Sequence, residues 1–344
     1  MQKYKDMSPA QLRQTLMFDV IQGYAKTQVV SVFARLGIAD LLKDGERTVA
    51  ELSEPLQIDA ERLHRFMRVA EVVGLCEHVG QEQYCLTDLG RPLISDSRGS
   101  LREAAISTGR ERYQLWGDLL YSIQTGKDAF TRVFGKDFFE YKEQKKQTDV
   151  FHDDLASTAR SSARDILSSC TFDSISCVVD VGGGYGALIS EILNAHPHLT
   201  GILFDREATL AGATQHLETS GITARCRPVA GDFFESVPAG GDMYIVSKVI
   251  HNWNDENALS ILRNCCRAMG KHGKLVIIDH VMPENTDGPF PIIWTDLFML
   301  LLTGGQVRTV AQYQSLLEAA DLQLLRVVPT SPVVAIIEAA PRFA

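Results

Sequence analysis

No Cys-x-x-Cys pair occurs among the seven cysteines of this sequence. An odd count without that spacing indicates neither a disulfide framework nor a cage of paired zinc thiolates. Long apolar runs are missing as well. Stretches such as Leu297–Leu302 fall far short of the ~18 residues that could span a bilayer. The start of the chain lacks the charged segment and apolar stretch of a secretory signal. A basic surplus is absent: 34 Lys and Arg stand against 43 Asp and Glu, a formal balance of −9. That acidity argues against a phosphate-backbone partner and against an anionic membrane surface. Neither an internal repeat nor a low-complexity tract is visible. The expectation is a reduced, soluble, cytoplasmic protein with no membrane and no nucleic-acid partner.

What is present is apolar side chain in quantity. The 344 residues are 45% hydrophobic and 22% charged, enough for a large buried core. At roughly 150 residues per domain, the length suggests two domains. Residues 1–100 read as helices followed by a small hairpin. Apolar residues recur at helical spacing from Met17 to Ala34. Asp59 suits the N-cap of a helix over Ala60–Val73, with Gly74 as its C-cap. Leu63, Phe66, Met67, Ala70 and Val73 give that helix one buried stripe. Cys76–Val79 and Gln83–Leu86 read as a two-stranded wing. The whole is a winged-helix pattern, a module that often reads DNA. Here twelve Lys and Arg face fourteen Asp and Glu, so the row Arg62, Arg65 and Arg68 is a weak argument for DNA. A structural or dimerising role is favoured.

Residues 101–170 read as a helical connector rich in large apolar side chains, among them Trp116, Phe130, Phe138 and Phe139. They leave room for an aromatic-lined pocket. From 171 to 344 strands alternate with helices: Cys177–Val181, Thr200–Phe204, Arg225–Val229, Met243–Val246, Lys274–Ile278, Leu322–Val328 and Val333–Glu338. Such alternation predicts a parallel doubly wound α/β sheet. The final two strands are too close for a crossover helix and must pair antiparallel.

The first strand runs into Asp180-Val181-Gly182-Gly183-Gly184-Tyr185-Gly186-Ala187. Gly182, Gly184 and Ala187 satisfy the dinucleotide pattern G-x-G-x-x-A, so this turn alone leaves a nicotinamide enzyme open. Bare backbone lets a nucleotide approach the strand end, and Asp205, closing the next strand, is placed to accept from ribose hydroxyls. Asp180 precedes the glycines. A carboxylate there would repel a pyrophosphate but suit the cationic aminoacyl end of S-adenosylmethionine.

Further segments follow in a fixed order: Gly231-Asp232-Phe233-Phe234, then His251-Asn252-Trp253-Asn254-Asp255-Glu256, then Thr303-Gly304-Gly305-Gln306-Val307-Arg308-Thr309. With them and the antiparallel last strand, the chain resembles the small-molecule O-methyltransferases related to the plant caffeate and isoflavone enzymes, in their microbial secondary-metabolism branch. The resemblance spans nearly the whole length. It implies a Rossmann-like class I methyltransferase domain over 171–344 and makes the winged helix of 1–100 a dimerisation domain. It also implies a homodimer, S-adenosylmethionine as methyl donor with S-adenosylhomocysteine as product, no metal, and a phenolic or polycyclic acceptor.

Carried over by position, the resemblance places Gly182 and Gly184 against the methionyl part and Asp205 on the ribose. Gly231 and Asp232 would meet the adenine, with Phe233 packed on its ring, and Ser247 and Lys248 would lie near the cofactor. The plainer readings are a turn residue for Asp232, core for Phe233 and a solvated strand end for Lys248. His251 matches the family's general base and Asp279 the carboxylate that orients it. Phe151, His152, Trp294, Asp296 and Met299 would line the acceptor pocket, although an ordinary core helix accounts equally well for Leu297, Phe298 and Leu301. Two positions depart from the family. Asn252 stands where Asp is common and Val307 where Glu is usual, so one of two carboxylates that orient the imidazole is missing. That keeps open a relative that binds the cofactor but rearranges or hydroxylates its substrate, with a winged-helix DNA regulator more distant.

Overall fold

A computed structural model of the protein describes residues 7–80, 82–97, 99–144, 161–284 and 291–342. The chain divides into two compact units, 1–117 and 118–344.

In the first unit, helices Pro9–Ile21, Gly23–Arg35 and Ile38–Leu42 precede a short strand β1 (Arg47–Thr48). Helices Val49–Leu56 and Ala60–Val73 and the hairpin β2 (Cys76–Gly80) and β3 (Gln83–Leu86) follow. The three strands pair in the order β1-β3-β2, so the wing has one strand more than the sequence suggests. Asp59 accepts the Arg62 N–H and Gly74 closes the same helix at φ 93°. Leu63, Met67 and Ala70 are buried, while Phe66 and Val73 pack at the edge of the same core. The apolar stretch Met17–Ala34 is not one helix, because it breaks at Gln22 before Gly23, a poor helix former. Helix Pro9–Ile21 buries no side chain in its own chain. Phe18 and Val20 stand 61% and 72% exposed.

The second unit is built on strands β4 (Cys177–Val181), β5 (Thr200–Asp205), β6 (Cys226–Ala230), β7 (Met243–Ser247), β8 (Lys274–His280), β9 (Leu322–Ser331) and β10 (Val334–Pro341). Their order is β6-β5-β4-β7-β8-β10-β9. The ladders from β6 to β8 are parallel, and β10 is antiparallel to both neighbours, as expected. Alternate residues feed two cores. Val179, Val181, Tyr244, Val246, Leu275 and Ile277 face one side, and Val178, Met243, Ile245, Val276 and Ile278 face the other. Burial on both faces is why these strands read as unbroken apolar runs. Strand order reverses between β4 and β7, and in such sheets the carboxyl ends at the reversal open a crevice for ligands. Val181 and Ser247 end the two strands there.

Candidate active site

The glycine turn after β4 is shaped by close approach. Gly182 and Gly184 lie at φ 71° and 61°, a region that costs an L side chain about 1 kcal/mol or more. A Cβ on Gly182 would sit 3.0 Å from Val249, and one on Gly183 would sit 2.5 Å from Asp180 Oδ2. Asp205 Oδ2 accepts the Gly184 N–H at 2.8 Å and its Oδ1 accepts the Arg206 N–H at 2.7 Å. Asp180 is buried beneath the turn, and its Oδ2 has no partner among the described residues. Burial, with the charge of Asp205 adding to it, pushes this carboxyl up to about 7.

On the other side of the reversal, a short 3₁₀ turn, Ile250–Asn252, presents His251. The residue is 8% exposed. Its Nδ1 meets Asp279 Oδ1, and its backbone N–H donates to Asp279 Oδ2 at 3.0 Å. Asp279 sits near the end of β8 and is wholly buried. Burial by itself would raise its pKa. The His251 ring, as charge and as donor, with Lys248 and His280, outweighs that and holds the carboxyl at about 2. With Nδ1 given to the carboxylate, the basic lone pair is left on Nε2. His280 lies 5.4 Å away, ring to ring, and is driven down to about 4 by burial and by the charges of Lys248 and His251. The Tyr313 hydroxyl, also buried, is pushed well above its ordinary value by burial and by Asp279.

Comparison with known proteins identifies the family. The O-methyltransferase domain family matches residues 116–323, and the O-methyltransferase dimerisation domain matches residues 18–96. The chain belongs to the O-methyltransferase family. It is 38% identical to phenazine O-methyltransferase PhzM of Lysobacter antibioticus, over 95% of this chain and 96% of that one. It is 30% identical to phenazine-1-carboxylate N-methyltransferase of Pseudomonas aeruginosa, over 91% and 92%. The structure of NcsB1, an O-methyltransferase of neocarzinostatin biosynthesis in complex with S-adenosyl-L-homocysteine and 1,4-dihydroxy-2-naphthoic acid, has a TM-score of 0.83. Its identity is 31%, over 92% of this chain and 96% of that one.

The protein is therefore an S-adenosylmethionine-dependent methyltransferase of aromatic small molecules, and its dimerisation domain makes it a homodimer. The residues present fit that cofactor. The buried Asp180 carboxyl, its Oδ2 unpartnered among the described residues and lying under bare glycine backbone, suits a cationic ligand, because a cation beside it favours the ionised form. Among the described residues no helix is long and apolar enough to cross a membrane.

Gly182, Gly184, Asp205, Gly231 and Phe233 gather at one end of the sheet. Gly231 donates its N–H to the Asp205 carbonyl at 3.1 Å, and the Phe233 ring lies within 4 Å of where a Gly182 Cβ would be. Asp232 is exposed and accepts the Phe234 N–H at 2.8 Å, the local geometry of a turn residue. Ser247 shares a hydrogen bond with Ser162 at 3.2 Å. Lys248 is left-handed at φ 57°, and its Nζ is buried without a partner among the described residues. Burial lowers its pKa, against the pull of Asp279 and Asp165. It is no solvated strand end.

The helix Pro291–Thr303 carries the predicted acceptor residues. Met299 is buried and Trp294 is 59% exposed, because five residues turn a helix by about 140° past a full circle. Asp296 spends Oδ1 on the Val307 N–H at 2.7 Å. Phe151 and His152 lie outside the described residues. Asn252 does not face the imidazole through its amide; Nδ2 donates to the Lys248 carbonyl at 3.0 Å.

Several participants were not singled out from sequence. His280 and Tyr313 are near Asp279 only because strand and helix ends converge there. Lys142, on helix Phe138–Gln144, is lowered by burial and held up by Asp205, beside which it lies. Trp253 and Phe139, both named from sequence, stack on each other at 5.4 Å, a pairing the sequence did not show. Arg308 was visible in the glycine segment, yet nothing in the sequence distinguishes a buried arginine from a surface one. The structure buries it completely.

Proposed function

We propose that the enzyme transfers a methyl group to a hydroxyl of a phenolic or polycyclic acceptor, with His251 as general base. The observation that carries this is the double grip of Asp279 on His251, which leaves Nε2 as the basic nitrogen. A phenol with pKa ~10 has its phenolate about 4 kcal/mol uphill at neutral pH. Nε2 removes the hydroxyl proton as the oxygen attacks, and the neighbouring carboxylate stabilises the imidazolium that results. When bound, S-adenosylmethionine supplies an activated methyl on sulfur. Alignment of the acceptor oxygen then contributes the larger part of the rate.

In this reading Gly182 and Gly184 clear space for the methionyl part. Asp205 has used one lone pair on each oxygen and retains the others for ribose hydroxyls. Asp232 and Phe233 serve the adenine, with Ser247 and Lys248 beside the cofactor. Met299, Asp296 and Trp294, with Phe151 and His152, serve the acceptor. The relatives' phenazine and naphthoate ligands support a flat polycyclic substrate. A cytoplasmic location belongs to the same proposal and is supported by seven unpaired cysteines. The N-methyltransferase relative favours a second reading, an aromatic nitrogen as acceptor, which needs no base when the nitrogen is already unprotonated.

A panel of hydroxyarenes and amino-arenes, incubated with enzyme and S-adenosylmethionine, tests both readings by mass spectrometry of the methylated product and of S-adenosylhomocysteine. Methylation of phenols that collapses in His251→Ala supports the base. Turnover of amines alone, indifferent to His251→Ala, would select the second reading.

A further inference from the structure

We infer that Arg308 is the positioning residue for the general base, tying the turn that carries His251 to the strand that carries Asp279. The inference rests on the proposed role of His251.

Arg308 is fully buried, and burying a guanidinium is costly unless its donors are met. Nη1 donates to the Ile250 carbonyl at 3.1 Å, and Nη2 donates to the Trp253 carbonyl at 2.8 Å. Nε and Nη2 both reach Asp255 Oδ1, at 2.9 and 2.8 Å. The carbonyl just before His251 and the one two residues after it thus end on a single rigid plane. A guanidinium holds such a fork where a flexible ammonium does not. Besides Arg308, the 3₁₀ turn is held by the Asp279 carboxylate on the His251 N–H and by the Asn252 amide on the Lys248 carbonyl. Its internal main-chain bonds are Asn252 N–H to Val249 and Trp253 N–H to Ile250, each 3.1 Å, and such turns are weak by themselves.

The backbone of the same residue works on the other partner. The Arg308 carbonyl accepts the Met282 N–H at 2.9 Å, and Val281 bridges to Arg308 in parallel pairing. Val281 and Met282 directly continue the strand that ends Asp279-His280. One residue therefore touches the histidine turn with its side chain and the aspartate strand with its main chain. Gly305 closes the arrangement. A Cβ there would collide with the carbonyl of His251, so the segment lies directly on the turn. Val307, between them, is buried and adds no ionisable group.

The test uses Arg308→Lys and Asp255→Asn, with wild type and His251→Ala as references. Asp255 has a side chain 67% exposed, so its variant removes the anionic partner of Arg308 without opening the core. Four quantities are read: kcat, KM, S-adenosylmethionine affinity by calorimetry, and the low-field proton signal of the His251 Nδ1–H in the cofactor-bound enzyme. Arg308→Lys is expected to lower kcat by ~10–10²-fold, the scale for a misplaced group, with KM and cofactor affinity within about twofold. The low-field proton should shift or broaden, because the imidazole is no longer held in line with its carboxylate. Asp255→Asn should do the same to a smaller degree.

A folded Arg308→Lys enzyme with unchanged kcat and proton signal would overturn the inference. If Arg308→Lys does not fold, an unchanged signal and kcat in Asp255→Asn would overturn it equally. Should His251→Ala retain full turnover, the base reading fails, yet the proton signal still reports whether Arg308 positions the histidine.

Discussion

Asp279 holds His251 at two points, the ring nitrogen and the main-chain N–H. The ring contact fixes the tautomer, and the backbone contact fixes where the residue stands. His251→Ala should cost ~10²–10⁴-fold in kcat, the range for a lost general base, with cofactor affinity nearly unchanged. Asp279→Asn should cost less, since the base remains. A stability titration gives an independent check. The carboxyl is depressed from an ordinary 3.8 to about 2, so its stabilising contribution is present above pH ~4 and is lost as pH falls toward 2. Subtracting the unfolding free energy of Asp279→Asn from that of wild type at each pH should show a difference that shrinks over this window.

Asp180 behaves in the opposite sense. Its carboxyl is raised from 3.8 to about 7 in the folded chain, so the native state binds the proton more tightly than the unfolded state. Without cofactor, stability should therefore decline as pH rises from about 4 to 7, by up to roughly 4 kcal/mol from this group. Asp180→Asn should be relatively more stable by a margin that grows over that range and levels off above it. The same variant should bind S-adenosylmethionine more weakly. Thermal melts at pH 5 and pH 8 that place the variant equally far from wild type would refute the first expectation.

Asp205→Ala should weaken S-adenosylmethionine binding by ~1.5–3 kcal/mol, the scale for hydrogen bonds to a charged group. Part of the loss is indirect, because the carboxylate also anchors the Gly184 N–H. Asp205→Asn, which keeps an acceptor oxygen, should lose less. Calorimetry that finds equal affinities in all three proteins removes Asp205 from the cofactor site.

The unburied helix Pro9–Ile21 gives a prediction about assembly. Phe18 and Val20 are apolar and exposed within one chain, which is the surface a second copy would cover. Phe18→Glu combined with Val20→Glu should shift the homodimer toward monomer in light scattering at micromolar concentration. Folding of the second unit should be untouched.

Much of this was legible in the sequence, and the reasons differ by residue. Gly182 and Gly184 stood out because a left-handed turn, and for Gly182 a close neighbour as well, leaves glycine little competition. Asp59 and Gly74 marked their helix because cap chemistry is local. The antiparallel β9–β10 pair followed from chain length alone, since two residues cannot carry a crossover. Arg308 was illegible because its partners, Ile250, Trp253 and Asp255, are more than fifty positions away. The orientation of Asn252 was hidden for a similar reason: its amide turns toward Lys248, whose left-handed backbone no pattern announces. Trp294 and Met299 were grouped by helix membership, and only rotation about the axis separates them.

The inserted strand β10 also sets a schedule for the site during synthesis. It pairs Ala335 with Asp279 and Val334 with His280, filling the gap between β8 and β9. Until those residues leave the ribosome, β8 is an outer strand with a bare flank, and bare flanks invite pairing with other chains. At ~5–20 residues per second, the roughly sixty residues after His280 take several seconds to arrive. Strands β4 to β7 have all been synthesised well before then. Asp279, which grips His251 at two points, gains its last sheet partner only when Ala335 arrives, so this buried carboxylate is among the last groups of the sheet to be locked in place.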